Sequence, residues 1–238
     1  MTGLTINGVT AGYGDVTVLQ DVAFDVAAPG ITAVIGSNGA GKTTLLRALS
    51  GLIKPNAGRI ALGGIELAGL APDAFVATGI AHVPEGRRLF AGMTVEDNLM
   101  MGAFSRRLPA SVLREELDAV YALFPRLAER RKQDAVSMSG GEQQMCAIGR
   151  GLMAKPKVML IDELSLGLAP VAVDVLVDAL TRLAADGLGL LVVEQDVAVA
   201  FDLASQIVVL DRGRVTRTGP SASVAADPAV RAAYLGEA

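Results

Sequence analysis

The stretch ITAVIGSNGAGKTTLLRALSGL, Ile31 to Leu52, changes character twice. ITAVI is short, apolar and rich in β-branched residues, as a buried strand requires. TTLLRALSGL reads as a helix. Between them GSNGAGKTT fits G-x-x-x-x-G-K-[ST], with Gly36, Gly41, Lys42 and Thr43 at the fixed positions. Glycines let such a loop fold tightly and aim its N–H groups inward at phosphate oxygens. The helix that follows points its positive end at the same oxygens. Lys42 is placed to reach the β- and γ-phosphates, and the Thr43 hydroxyl to ligate Mg²⁺. Gly36, Ser37, Asn38, Gly39, Ala40, Gly41, Lys42, Thr43 and Thr44 are therefore candidate nucleotide-binding residues. One such loop implies one nucleotide site per chain.

On either side of this stretch the chain alternates. LTINGV (4–9) and VAFDVA (22–27) read as strands, and GRIALGGIEL (58–67) as a hairpin. GIAHV (79–83) is a further strand, and the pattern turns helical from about Thr94 to Ala154. Strands return at KVMLID (157–162), LLVVEQ (190–195) and IVVLD (207–211), with the helix VAVDVLVDALTRLAA after the first. Strand–helix alternation predicts a parallel α/β core. The helical stretch 85–154 reads as a subdomain inserted into a core made of 1–84 and 155–238.

The 238 residues are 51% hydrophobic and only 19% charged. A parallel sheet, apolar on both faces, accounts for part of this, and an apolar partner surface for more. The longest apolar runs are strand-sized, well short of the roughly 20 residues that span a bilayer. The N-terminus MTGLTINGVT has no basic segment followed by an apolar one, so no secretory signal is expected. The one cysteine, Cys146, cannot form an internal disulfide, which fits a reducing cytoplasm. A net charge of −4 argues against binding nucleic acid through its backbone.

A loop of this kind needs a second anchor for Mg²⁺, and VMLIDE supplies one. Asp162 ends an apolar strand, and Mg²⁺ takes oxygen ligands while keeping several waters. Glu163, next in line, stands where a carboxylate orients and deprotonates an attacking water. Taken by themselves, the two acids also read as the solvated end of an ordinary strand.

VSMSGGEQQMCAIGRGLM (136–153) narrows the choice. Ser139, Gly140 and Gly141 open a helix and present N–H groups and a hydroxyl. As an isolated triplet this is a helix cap; beside the glycine loop it is a second anion-binding edge. One nucleotide does not need two such edges from one chain, whereas two chains paired head to tail would use both on the same γ-phosphate. The order of glycine loop, helical insertion, MSGGEQQ and VMLIDE resembles the ATP-binding cassette (ABC) ATPases, nearly end to end. The resemblance implies a P-loop NTPase core with an antiparallel β subdomain and an inserted helical subdomain. It also implies Tyr13 stacked on adenine and Ser139, Gly140, Gly141 and Glu142 at the ATP of a partner.

VPEGRRLF, MTVEDNL, SGGEQQM, SLGLAP and VVEQD are similar to the ATP-binding subunits of branched-chain amino acid importers. Where most ABC ATPases carry glutamine, histidine and aspartate, this chain has Glu85, Gln195 and Ala169, as that subgroup does. Glu85 is acceptor-only when ionised and can meet Mg²⁺ or its waters. Gln195 can bond a γ-phosphate but cannot titrate. Leu164 and Ala91 stand where proline is usual. The resemblance implies ATP hydrolysis with Glu163, Lys42 and Gln195 as the catalytic set and Thr43, Asp162 and Glu85 around Mg²⁺. It implies a second ABC ATPase subunit, the same or similar, in a head-to-tail dimer. It further implies transmembrane permease subunits, an indirect link to a periplasmic or extracellular solute-binding protein, and a cytoplasmic place on the inner face of the cell membrane. Urea or a short amide is the alternative solute, and a soluble ABC ATPase or a small-molecule kinase the alternative activity. His82 and Cys146 read as structural. Arg87 and Arg88 read as contacts to phosphate or a membrane subunit, or as a solvated pair.

Overall fold

The computed structural model describes residues 3–235. Two sheets carry the fold. The first is antiparallel, in the order β2 (Val16–Val26), β1 (Leu4–Tyr13), β4 (Ala57–Leu62), β5 (Ile65–Glu66). The second has six strands, in the order β10 (Arg214–Pro220), β9 (Gln206–Asp211), β3 (Gly30–Ile35), β8 (Gly189–Glu194), β7 (Val158–Asp162), β6 (Ile80–Val83). β6, β7, β8, β3 and β9 run parallel, and β10 closes the edge antiparallel to β9.

The parallel strands are apolar throughout because each has a core on both faces. Ala33 and Ile35, Met159 and Ile161, Leu190 and Val192, Ile207 and Val209 face one cluster. Their neighbours Val34, Leu160, Leu191, Val193, Val208 and Leu210 face the other. Helix α1 (Lys42–Leu49) puts Leu45, Leu46 and Leu49 into that second cluster, together with side chains of the antiparallel sheet. The glycine loop is thereby held between a buried strand and a buried helix.

Between β6 and β7 lie α3 (Val95–Met101), α4 (Ala110–Leu123), α5 (Pro125–Glu129) and α6 (Gly140–Leu152), after α2 (Pro72–Thr78) before β6. Leu99, Val120, Leu127 and Ile148 from these helices join the same cluster as the sheet. The inserted helices thus share one core with the sheet. After β7 come α7 (Pro170–Ala185) and α8 (Val197–Leu203).

The parallel and antiparallel layers, the hairpin at residues 57–66 and the helical insertion match the sequence-based expectation. β10, α2, α8 and the first half of β2 go beyond it. β10 is a polar, mostly exposed edge strand without apolar alternation. α2 is short and buries only Phe75. α8 is apolar almost all round and so shows no helical periodicity; its start is set by Asp196, whose carboxylate accepts from the N–H groups of Ala198 and Val199.

Candidate active site

The glycine loop joins the C-terminal end of β3 to α1. At Gly36 a Cβ would sit 2.3 Å from the carbonyl oxygen of Leu210, so β9 leaves no room for a side chain. Gly41, with φ +105, takes the left-handed turn that opens α1. Ala40 faces away from the mouth: its N–H donates to Ser37 O at 3.1 Å and its carbonyl accepts from Gly213 at 2.9 Å. A cavity of about 280 Å³ opens over the loop, lined by six residues between Asn38 and Thr44, by Val18 of β2 and by Glu163. Lys42 is buried there and donates to the carbonyls of Gly36 at 2.7 Å and Ser37 at 3.2 Å. Burial lowers its pKa, and the negative charges of Glu163, Asp162 and Glu194 act in the opposite direction. Tyr13, at the end of β1, is 45% exposed, and its hydroxyl accepts from Arg47 at 2.9 Å.

Asp162, the last residue of β7, is only 2% exposed. Its carboxyl pKa is pushed up to about 6 by burial, then by the charges of Glu163 and Glu85, against a bond from Thr43 and the charge of Lys42. Its Oδ1 has no hydrogen-bond partner. An unpartnered buried carboxylate oxygen beside a threonine hydroxyl and two further carboxylates suits a hard divalent cation. Among the described residues, no three His, Cys, Asp or Glu side chains cluster tightly enough to hold a metal alone. The remaining ligands of such a cation would be phosphate oxygens and water.

Glu163 follows with φ +50, an uncommon conformation for a side-chain-bearing residue. Its N–H donates to Val193 O at 2.9 Å, and its carboxylate accepts from Gln195 Nε2. The end of β7 and the end of β8 therefore converge on one pair of side chains. Parallel pairing explains this, since Asp162 is in register with Val193.

Ser139 caps α6. Its N–H and hydroxyl donate to the Glu142 carboxylate at 3.0 and 2.8 Å, and its hydroxyl accepts from Glu142 N–H at 3.4 Å. Burial opposes the charge on Glu142, yet the Ser139 bonds and the guanidinium of Arg130, 2.8 Å away, hold its pKa below the usual carboxylate range. Glu142 thus serves as the cap's carboxylate. Gly141 lies against α7, where a Cβ would come within 2.6 Å of Ala172. None of Ser139 to Glu142 is among the described residues lining the cavity over the glycine loop.

The model for the ABC transporter family matches residues 19–165, spanning the glycine loop, the capped helix and the paired acids. This chain belongs to the ABC transporter family. A second model, described as branched-chain amino acid ATP-binding cassette transporter, matches residues 218–238. The chain is 44% identical over 233 residues to the high-affinity branched-chain amino acid transport ATP-binding protein BraG of Pseudomonas aeruginosa, covering 98% of this chain and 99% of that one. It is 35% identical over 212 residues to the probable branched-chain amino acid transport ATP-binding protein LivF of Archaeoglobus fulgidus, covering 89% of each. A solved ATP-binding subunit of an ABC transporter superposes with a TM-score of 0.83 at 29% identity, covering 98% of this chain and 96% of that one.

The ABC ATPase accommodates its unusual residues in different ways. Leu164 is fully buried and joins the cluster on the helical side of the sheet. Ala91 is exposed. Ala169 is the N-cap of α7 and makes no side-chain cap bond. Cys146 is buried and its pKa is pushed up to about 12 by burial, as suits packing. Burial, followed by the charge of Arg47, lowers the pKa of His82 to about 4. Arg87 lies in the loop after β6, with φ +63. Its guanidinium donates to Gln143 of α6 at 3.5 Å, while Arg150 of α6 donates to the carbonyls of Arg87 and Arg88. Sequence reasoning passed over Glu194, a buried acid at the end of β8. The signal was an acid inside the apolar run LLVVE.

Among the described residues, no helix is long and apolar enough to cross a membrane.

Proposed function

We propose that this ATPase powers a membrane importer for branched-chain amino acids by closing head to tail with a second copy, or a similar chain, around two ATP–Mg²⁺. The observation that carries the pairing is the separation of two anion-binding edges. Lys42 and the loop amides surround one cavity, and the N-terminus of α6 at Ser139–Gly141 contributes nothing to it. A partner's nucleotide is the natural occupant of that second edge. Likeness to BraG and LivF and the match at residues 218–238 support the solute assignment.

In this reading the loop amides and Lys42 bind the phosphates, and Tyr13 stacks on the adenine. Thr43 and Asp162 hold Mg²⁺, and Glu85, whose charge acts on Asp162, bears on the cation's waters. When bound, Mg²⁺ neutralises charge on the β- and γ-phosphates. Glu163 accepts a proton from the attacking water, and Gln195 orients the Glu163 carboxylate. Closure and reopening of the pair move transmembrane permease subunits, with the ATPase seated on the cytoplasmic face of the membrane.

The test is the solution mass of Glu163→Gln with and without ATP–Mg²⁺, by light scattering on a sizing column. An ATP-dependent dimer is expected. ATP binding without any dimer would exclude self-pairing and leave a similar chain as the partner. Absence of ATP binding would overturn the site. Uptake of radiolabelled leucine into vesicles that hold this chain with its membrane subunits checks the solute; uptake of urea instead would overturn that assignment.

A further inference from the structure

The carboxylate of Glu194 is 1% exposed, yet it is fully bonded. One oxygen accepts the N–H of Ser165 at 2.8 Å. The other accepts the Ser165 hydroxyl at 2.9 Å and the N–H of Gln195 at 3.2 Å. The backbone of Asp196 adds a further donor. Each donor comes from one of two loops: the one that follows β7 and carries Glu163, or the one that follows β8 and carries Gln195. An ionised carboxylate accepts only, and with several N–H and O–H donors its bonds are short and directional.

From this geometry we infer that Glu194 is the positioning residue of the hydrolytic pair. It fastens both loops to one buried point, so that the Glu163 carboxylate and the Gln195 amide meet in a fixed relation. Glu163 is then held at three places: its own N–H on Val193 O, its carboxylate on Gln195 Nε2, and Ser165 two residues on by the Glu194 carboxylate. Such bracing is what a residue at φ +50 requires, since its backbone does not favour that conformation on its own. The same loop continues to Leu168, whose Cδ2 would be 3.3 Å from a Cβ at Gly140. The clamp therefore reaches from the hydrolytic pair to the N-terminus of α6, the edge assigned above to a partner's nucleotide. Glu194 does not line the cavity over the glycine loop, so nucleotide need not touch it.

This inference rests on the reading of Glu163 as the residue that activates water. The full chain is assayed as wild type, Glu194→Gln, Ser165→Ala, Ser165→Thr and Glu163→Gln, for kcat and for equilibrium affinity for a fluorescent ATP analogue. Thermal unfolding of each variant is recorded alongside. Glu194→Gln should lower kcat at least tenfold while nucleotide affinity changes less than threefold. Ser165→Ala should lower kcat several-fold, and Ser165→Thr, which keeps the hydroxyl and the N–H, should restore most of it. The double variant Glu194→Gln/Ser165→Ala should lose little more than Glu194→Gln alone, because both remove one clamp. Wild-type kcat in a folded Glu194→Gln would overturn the inference. So would a fall in kcat matched by an equal fall in affinity and in folded fraction, because that pattern is a general structural defect. Should Glu194→Gln unfold, the Ser165 pair decides: Ala and Thr with the same kcat would overturn it. If Glu163→Gln itself still hydrolyses ATP, the reading of Glu163 fails, and that failure is distinct from a normal Glu194→Gln.

Discussion

Two buried carboxylates stand at the C-terminal ends of adjacent parallel strands, Asp162 on β7 and Glu194 on β8. Both are almost wholly out of water. Burial raises the pKa of both. Their surroundings differ in one respect. Glu194 has a donor for each oxygen, whereas Asp162 Oδ1 has none. A buried charge is tolerated when it is hydrogen-bonded and is costly when it is not. The bonded carboxylate therefore holds the structure together. Asp162, with one oxygen unpartnered, is kept at the expense of stability, and a cation is the partner that would offset it.

That contrast breaks if replacing the two side chains moves stability in the same direction. Asp162→Asn should reduce Mg²⁺-dependent hydrolysis at least 100-fold, which corresponds to roughly 3 kcal/mol of barrier. The same substitution should stabilise the nucleotide-free protein. The sign follows from linkage. The folded pKa of Asp162, about 6, lies above the ordinary aspartate value of 3.8. The folded state then binds the proton more tightly, and stability is lost as pH rises from about 4 to 6. Above pH 6 the penalty is complete, on the order of 3 kcal/mol at about 1.4 kcal/mol per pKa unit. Melting curves without nucleotide or metal should show Asp162→Asn above wild type at pH 7.5, with the gap closing as pH falls to 4. An Asp162→Asn protein that melts below wild type at pH 7.5 would break the comparison.

Truncating Glu194 should have the opposite effect, because its donors lose their acceptor. Glu194→Ala strands the Ser165 N–H and hydroxyl and the Gln195 N–H in a buried place. At about 1–3 kcal/mol for each of these three donors, a loss of at least roughly 3 kcal/mol is expected in urea unfolding. A loss below 1 kcal/mol would mean that water reaches the clamp.

The two acids were not equally legible in the sequence. Asp162 announces itself because it ends an apolar run in a chain that also carries GSNGAGKTT, and a phosphate loop requires a metal anchor. Glu194 is also an acid at the end of an apolar run, but no local pattern says which loop it will bond. Its partner Ser165 is 29 residues away, and only the pairing of β7 with β8 brings them together. The same limit applies to Gln195. Sequence gives its amide the chemistry of a γ-phosphate ligand but not its neighbour in the fold, which is the Glu163 carboxylate. The parallel sheet was legible because its strands are apolar on both faces; β10 was not, because an exposed edge needs no such pattern. The helix start was legible from Ser139–Gly141, since a cap is local; that Glu142, three residues on, closes a capping box with Ser139 was not read.

A smaller effect concerns the loop that joins β7 to α7. Ala169 occupies the N-cap of α7 in an extended conformation, with no side chain to accept the N–H of Val171; Pro170 has no N–H and that of Ala172 donates to the Ala169 carbonyl at 2.9 Å. Ala169→Ser or Ala169→Asp should stabilise the isolated chain by about 0.5–2 kcal/mol. A neutral or negative change in melting would show that the Val171 N–H is already satisfied by another partner.

The smallest expected effect is on the shape of a pH profile. Gln195 holds the Glu163 carboxylate through an amide, which has no pKa in the working range. With saturating Mg²⁺–ATP, wild type and Gln195→Ala should differ in height but share the same profile between pH 5.5 and 8.5. Gln195→His places an imidazole, with an ordinary pKa near 6.5, against a carboxylate. The negative charge favours the imidazolium and should raise that pKa. Gln195→His should therefore gain an inflection at or above pH 6.5 that neither of the other two shows. An inflection already present in wild type and abolished by Gln195→Ala would mean that position 195 governs a titrating group. The amide would then be more than a fixed strut. If all three variants share one inflection, the titrating group lies elsewhere, and the clamp at Glu194 keeps its geometry whichever side chain stands at 195.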